Sequence, residues 1–126
     1  MAIFGAPLDD PAAAVHAVEA GREILAEIDE RGLSDGPWPL RVGIGLHVGS
    51  AVTGNVGSPR RKEFTAIGGT VNLASRLEQL IKEYPARLIV SDSMTTALGA
   101  AAGAARPLGK VPVKGYTEPV PIWALD

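Results

Sequence analysis

The sequence predicts an α+β domain built on one mixed, mainly antiparallel sheet, and three observations carry that prediction. Helical and strand periodicities interleave along the chain without a regular strand–helix–strand repeat. The 126 residues suffice for one domain with a modest core, and neither an internal repeat nor a domain boundary is visible. Aromatic residues are 5% of the chain against 46% hydrophobic, so the core must be close-packed from Val, Ile, Leu and Ala.

The elements follow in order. Met1 to Phe4 is an apolar run that reads as a strand, ended by Gly5-Ala6-Pro7. Asp9 and Asp10 precede Pro11, an acidic N-cap with proline at the first helical position. Val15, Val18, Leu25 and Ile28 then recur at helical spacing as far as Gly32, a C-cap signal. Pro37 and Pro39 bracket Trp38 in a loop. From Leu40 the chain alternates strictly: Leu40, Val42, Ile44, Leu46 and Val48 fill one face of a strand, while Gly43, Gly45 and Gly49 leave the other nearly bare. A bare face admits close approach by a helix, a partner chain or a ligand. Residues 50–56 and 62–67 read as strands around a Ser58-Pro59 turn, and a helix is expected from Thr70 to about Glu83 with Val71, Ala74, Leu77 and Ile81 inward. Residues 87–91 form a buried strand leading into a short helix over 92–98, and the Ala/Gly run 99–105 reads as a mobile surface loop. Final strands are expected near 111–114 and 120–125, where Pro112, Pro119 and Pro121 point to a sheet edge.

Composition excludes several functions. The net charge is −2 and the only basic run is Arg60-Arg61-Lys62, which argues against a nucleic-acid footprint. Without cysteine there are no disulfides or thiolate metal sites. No apolar stretch reaches bilayer length and the N-terminus has no signal-peptide pattern, so a cytoplasmic setting is expected.

Some apparent motifs fail on inspection. Gly49 and Gly54 have the glycine spacing of a phosphate-binding loop but continue into Asn55-Val56 without the lysine. His16 and His47 have no companions in metal-ligand spacing. Asp9 and Asp10 sit where helix capping accounts for them.

Asn72 and Arg76 are different. They stand four residues apart behind Gly68-Gly69, on one face of the expected helix, with Asn72 in its first turn. A donor amide and a planar cation beside the positive end of a helix suit a phosphate whose charge grows during reaction. A solvated face would present the same residues, and spacing alone does not decide.

The full string FTAIGGTVNLASRLE (64–78) resembles the corresponding segment of the class III adenylate and guanylate cyclases. The resemblance extends through LRVGIGLHVGSAVTGNVGSPRRKEF, LIVS, VPVKGYTEPVPIW and the opening MAIFGAPLDD with its alanine-rich helix. It implies a ferredoxin-like cyclase domain that works as a dimer, with ATP or GTP bound between two chains. By position, Asn72 would orient the ribose and Arg76 would stabilise charge on the α-phosphate. Thr65 falls where the family reads the purine, and Thr there goes with adenine, so ATP is expected over GTP; the main chain at Ala66 would lie against the base. Lys114 matches the lysine that holds the terminal phosphates, although a strand-end lysine can also simply face solvent. Gly69 replaces an Asp common in bacterial members, at a position without a catalytic role.

The resemblance also implies two catalytic cations, Mg2+ or Mn2+, held by two aspartates. One lies on the family's first strand and the other in a Gly-Asp hairpin just before the strand matching MAIF. Neither falls within this chain, nor does the lysine preceding that hairpin. The expectation is therefore a partial cyclase catalytic domain over 1–126, lacking the first strand and hairpin partner and inactive alone. A non-catalytic nucleotide-binding or dimerisation module is the alternative, and a ferredoxin-like domain for an unrelated metabolite is a third that leaves the 64–78 string unexplained.

Overall fold

The computed structural model describes residues 1–126. In chain order the elements are α1 (Ala13–Glu30), β1 (Ile44–Leu46), β2 (Val52–Ser58), β3 (Arg61–Ile67), α2 (Gly69–Gln79), β4 (Leu88–Ser91), α3 (Asp92–Leu98), β5 (Arg106–Val111) and β6 (Val120–Ala124). Four strands form a mixed sheet in the order β1-β4-β6-β5, parallel between β1 and β4 and antiparallel elsewhere. The hairpin β2–β3 is a separate two-stranded sheet. No helix is long and apolar enough to cross a membrane.

Alternation along β4 and β6 divides the interior into two cores. Ile89, Ile122 and Ala124 pack with Leu73, Leu77 and Leu80 beneath α2. Leu88, Val90 and Leu125 pack on the other face with Val18 and Leu25 of α1 and Met94 and Leu98 of α3. Strands buried on both faces read as continuous apolar runs, which is why LIVS carries no polar–apolar alternation.

The predicted α1 holds, with its start two residues late. Asp10 Oδ1 accepts the Ala12 N–H at 2.9 Å and regular helix begins at Ala13. Its end is a Schellman motif: Gly32 (φ +64) donates to Asp29 O at 3.0 Å and Leu33 to Ile28 O at 3.0 Å.

The bare face of the glycine strand is covered by α2. A Cβ on Gly45 would stand 2.6 Å from Ala74 O, and one on Gly43 would stand 2.7 Å from Ile81 Cγ1. The filled face, Val42, Ile44 and Leu46, packs toward α1 and α3.

Several expectations are corrected. Residues 1–4 form no strand, because strands exist only where another strand takes their N–H and C=O groups, and β1 ladders only to β4. The regular strand expected over 40–48 is confined to Ile44–Leu46 for the same reason. The buried row is Leu73 and Leu77 of α2 with Leu80 of the 3-10 turn Leu80–Lys82 that follows it, while Val71, Ala74 and Ile81 are half-buried. Residues 99–102 continue as a 3-10 turn instead of an irregular loop. The strand expected at 111–114 is β5 at Arg106–Val111, bulged between Pro107 and Gly109; Pro112 follows its end. Pro121 lies on β6, an inner strand and not an edge, just beyond the β4 ladder, which begins at Ile122.

Candidate functional site

The Gly-Gly turn sets the start of α2. Gly68 takes φ +125, a conformation side chains oppose, and α2 begins at Gly69. The Asn72 N–H donates to Gly68 O at 3.1 Å, which places Asn72 in the first turn with its side chain exposed. Arg76 shares that face about 6 Å further along the axis, in the last turn of this short helix. Asn72 alone therefore stands at the positive end of α2, a correction to the expectation that both residues do. Arg76 Nη1 is 3.7 Å from Glu83 Oε1, and both side chains are substantially exposed, so this ion pair holds the guanidinium only loosely.

Thr65 and Ala66 adjoin on β3, opposite Gly54 and Thr53 of β2. Thr65 is half-buried and Ala66 buried. Lys114 is exposed in the turn that follows β5, where the Tyr116 N–H donates to Val113 O at 3.0 Å and Gly115 takes φ +91. Val113, at the root of that turn, packs on the core cluster containing Leu73, Leu77 and Leu80. The turn with Lys114 and the helix with Asn72 and Arg76 thus rest on the same side of the sheet.

A cavity of about 810 Å³ runs along the β1 edge between α1 and α2, with residues 1–6 bordering it. Of the candidate residues only Ala66 lines it; Asn72, Arg76, Thr65 and Lys114 do not. The cavity and the predicted phosphate-binding face lie on different sides of α2, since Val71, Ala74, Ser75 and Glu78 face the cavity. The cavity is predominantly apolar and its lining includes no Lys or Arg, whereas the Asn72–Arg76 face carries an amide and a guanidinium.

Two arrangements were not foreseen. Thr70 Oγ1 donates to Ser50 O at 2.6 Å, tying the first turn of α2 to the segment after β1. His47, half-buried on the cavity wall, lies 2.6 Å from the buried Ser91 hydroxyl, and burial lowers its pKa from the ordinary 6.5. A hydroxyl directly behind a Gly-Gly turn was a signal for the first. The second pairs residues 44 positions apart, which no local pattern reveals.

The residues present do not fit a two-cation centre. No grouping of three or more His, Cys, Asp or Glu is placed to hold a metal. Asp10 is engaged by His16 Nδ1 at 2.6 Å and by the Ala12 N–H, and these hydrogen bonds lower its pKa.

The comparisons with known proteins agree with this fold. A family model described as "Adenylate and Guanylate cyclase catalytic domain" matches residues 1–126. The chain is 36% identical over 113 residues to "Adenylate cyclase, terminal-differentiation specific" of Dictyostelium discoideum, covering 87% of this chain and 5% of that protein. The crystal structure of the adenylyl cyclase CyaB from P. aeruginosa superposes with a TM-score of 0.74 at 28% identity, over 98% of this chain and 65% of that one. The guanylyl cyclase Cya2 superposes at 0.63 with 33% identity, over 95% and 61%. The chain spans between 5% and 22% of the curated relatives it matches.

Proposed function

This chain belongs to the adenylate and guanylate cyclase catalytic-domain family, and from that premise we propose that it is part of an adenylate cyclase domain that converts ATP to cyclic AMP and pyrophosphate. In that reaction the ribose 3′-oxygen bonds to the α-phosphorus, the bond from the α-phosphorus to the bridging oxygen breaks, and pyrophosphate departs. The 3′-hydroxyl proton passes to solvent. Such transfers depend on positioning and on charge stabilisation more than on covalent help from the protein. Asn72 holds the ribose so that the 3′-oxygen faces the phosphorus. Arg76 takes the charge that accumulates on the α-phosphate oxygens. Thr65 and the main chain at Ala66 read adenine, and Lys114 holds the terminal phosphates.

The observation that carries this reading is the exposed α2 face with Asn72 and Arg76 four residues apart, in a chain the family model matches throughout. An exposed face suits a site completed by another chain, and the apolar Val52 and Ile67 on the outer hairpin suit a second copy. The metal-binding carboxylates are then supplied from outside residues 1–126. Inactivity of these residues alone and a cytoplasmic setting are parts of the same proposal. Relatives include both adenylyl and guanylyl cyclases, so the preference for ATP rests on Thr65.

The test is complementation. Mixed with a full-length cyclase lacking its own Asn and Arg at these positions, this chain restores cyclic AMP formation from ATP with manganese. Asn72→Ala or Arg76→Ala in this chain lowers the restored rate by about 100-fold or more, the usual cost of removing a charge-stabilising donor. Absence of cyclic AMP in the mixture overturns the catalytic reading.

The lack of a metal-holding cluster favours a second reading, a nucleotide-binding or dimerisation module without turnover. It requires calorimetric ATP binding that weakens in Lys114→Ala and Arg76→Ala. No ATP binding eliminates it.

A further inference from the structure

Gly54 stands in the interior of β2, and nothing within this chain calls for glycine there. A glycine inside a strand weakens it, because it has no side chain to pack and loses more freedom on folding. Elsewhere the fold supplies the reason. Gly57 takes φ +135 with Arg61 O too close to admit a Cβ, and Gly45 lies against the α2 backbone. Gly54 meets neither condition: its φ is not positive, and a Cβ there would have nothing within 4 Å. Such a bare strand position marks close approach from outside the chain.

The register shows what borders that room. Gly54 is opposite Thr65, and directly opposed residues of a ladder point to one face. The adjoining pair, Thr53 and Ala66, lines the cavity, so Gly54 and Thr65 face away from it. Val52 and Ile67 share the outward face on one side and Val56 on the other, all three exposed. Val52 and Val56 are about 13 Å apart along the strand. The result is a shallow notch with a bare peptide floor, aliphatic rims and one hydroxyl.

We propose that Gly54 is a specificity-determining residue: it keeps the strand bare so that the purine lies flat over it, between the Val52–Ile67 and Val56 rims, with its amino edge at Thr65 Oγ1. This rests on the reading of Thr65 as the adenine contact, and it adds the surface that receives the ring. An apolar ring with a polar edge matches aliphatic rims that carry a single hydroxyl. These five residues include no cation, so the notch serves the base and not the triphosphate.

A side chain at position 54 takes the place of the ring without disturbing the fold. Gly54→Val suits a strand and enters open space, so its urea midpoint is expected to match or exceed that of the unaltered chain. Calorimetry then compares ATP with tripolyphosphate, which has the phosphates and no base. The unaltered chain is expected to bind ATP more tightly than tripolyphosphate. In Gly54→Val, ATP binding weakens by about tenfold or more while tripolyphosphate binding is unchanged. Asn55→Val, on the opposite face of β2, alters neither. If the valine variant fails to fold, Gly54→Ala gives the same comparison with a smaller loss.

ATP affinity retained in a folded Gly54→Val chain overturns the proposal and leaves nucleotide binding standing. An unaltered chain that does not distinguish ATP from tripolyphosphate also overturns it. One that binds neither ligand overturns the nucleotide-binding reading as well. Equal losses for both ligands, accompanied by a change in sedimentation, assign the room to a second copy and overturn the proposal.

Discussion

At Gly45 a hydrogen atom stands where any other residue would press a methyl group against the α2 backbone, 2.6 Å from Ala74 O. That neighbour is main chain and cannot rotate aside. Gly45→Ala should therefore cost about 1–3 kcal/mol, the usual range for overpacking, seen as a lower urea midpoint with an unchanged slope. Gly54→Ala is the control, because a Cβ there meets nothing within 4 Å. The bareness of this strand face was legible in the sequence, since alternating glycines are visible by eye. What covers it was not, because a helix, a second chain and a ligand all need the same room. Asn72 was legible for a local reason: the Gly-Gly turn fixes where α2 begins. The place of Arg76 depends on where α2 ends, and packing of Leu80 decides that through the 3-10 turn.

Among the elements, α1 was the most readable and its C-terminus shows why. Gly32 at φ +64 is demanded by the Schellman turn, and both of its hydrogen bonds are short range. Gly32→Ala forces a side chain into the left-handed region and should destabilise the fold by about 1–2 kcal/mol, measurable as a lowered melting temperature. The same helix end is tied to the residue preceding β4 through Asp29, whose carboxylate oxygens both lie 3.0 Å from Arg87 Nη1. The Arg87 hydrogen bond lowers the Asp29 pKa below 3.8. A depressed carboxylate stabilises the fold above its unfolded value and loses that contribution as pH falls through the folded one. Acid unfolding should accordingly begin at higher pH in Asp29→Asn than it does without the substitution. The strands were less readable. Residues 1–4 have strand composition and no ladder, and β5 begins five residues earlier than its apolar pattern suggested, since pairing with β6 fixes it. Pairing is a property of two segments, and neither segment alone announces it.

For the molecule as a whole, the two histidines shape stability in opposite directions. The Asp10 carboxylate raises the His16 pKa, so its contribution is complete below 6.5 and fades as pH rises through the raised value. His47 is held neutral, so its proton uptake favours the unfolded chain as pH drops below 6.5. Stability measured by denaturant titration should thus decline on the acid side, and less so in His47→Gln. The mixed sheet of an α+β domain was predictable from interleaved periodicities. The division into two cores was not, because Leu88, Ile89 and Val90 are all apolar and do not say which side chain goes where. The hairpin β2–β3 stands apart from that sandwich and leaves Val52 and Ile67, opposite each other in register, 70% and 58% exposed. If two copies meet through this arm, their grip is oily in character, and sedimentation should show it tightening in sulfate and slackening in the cold.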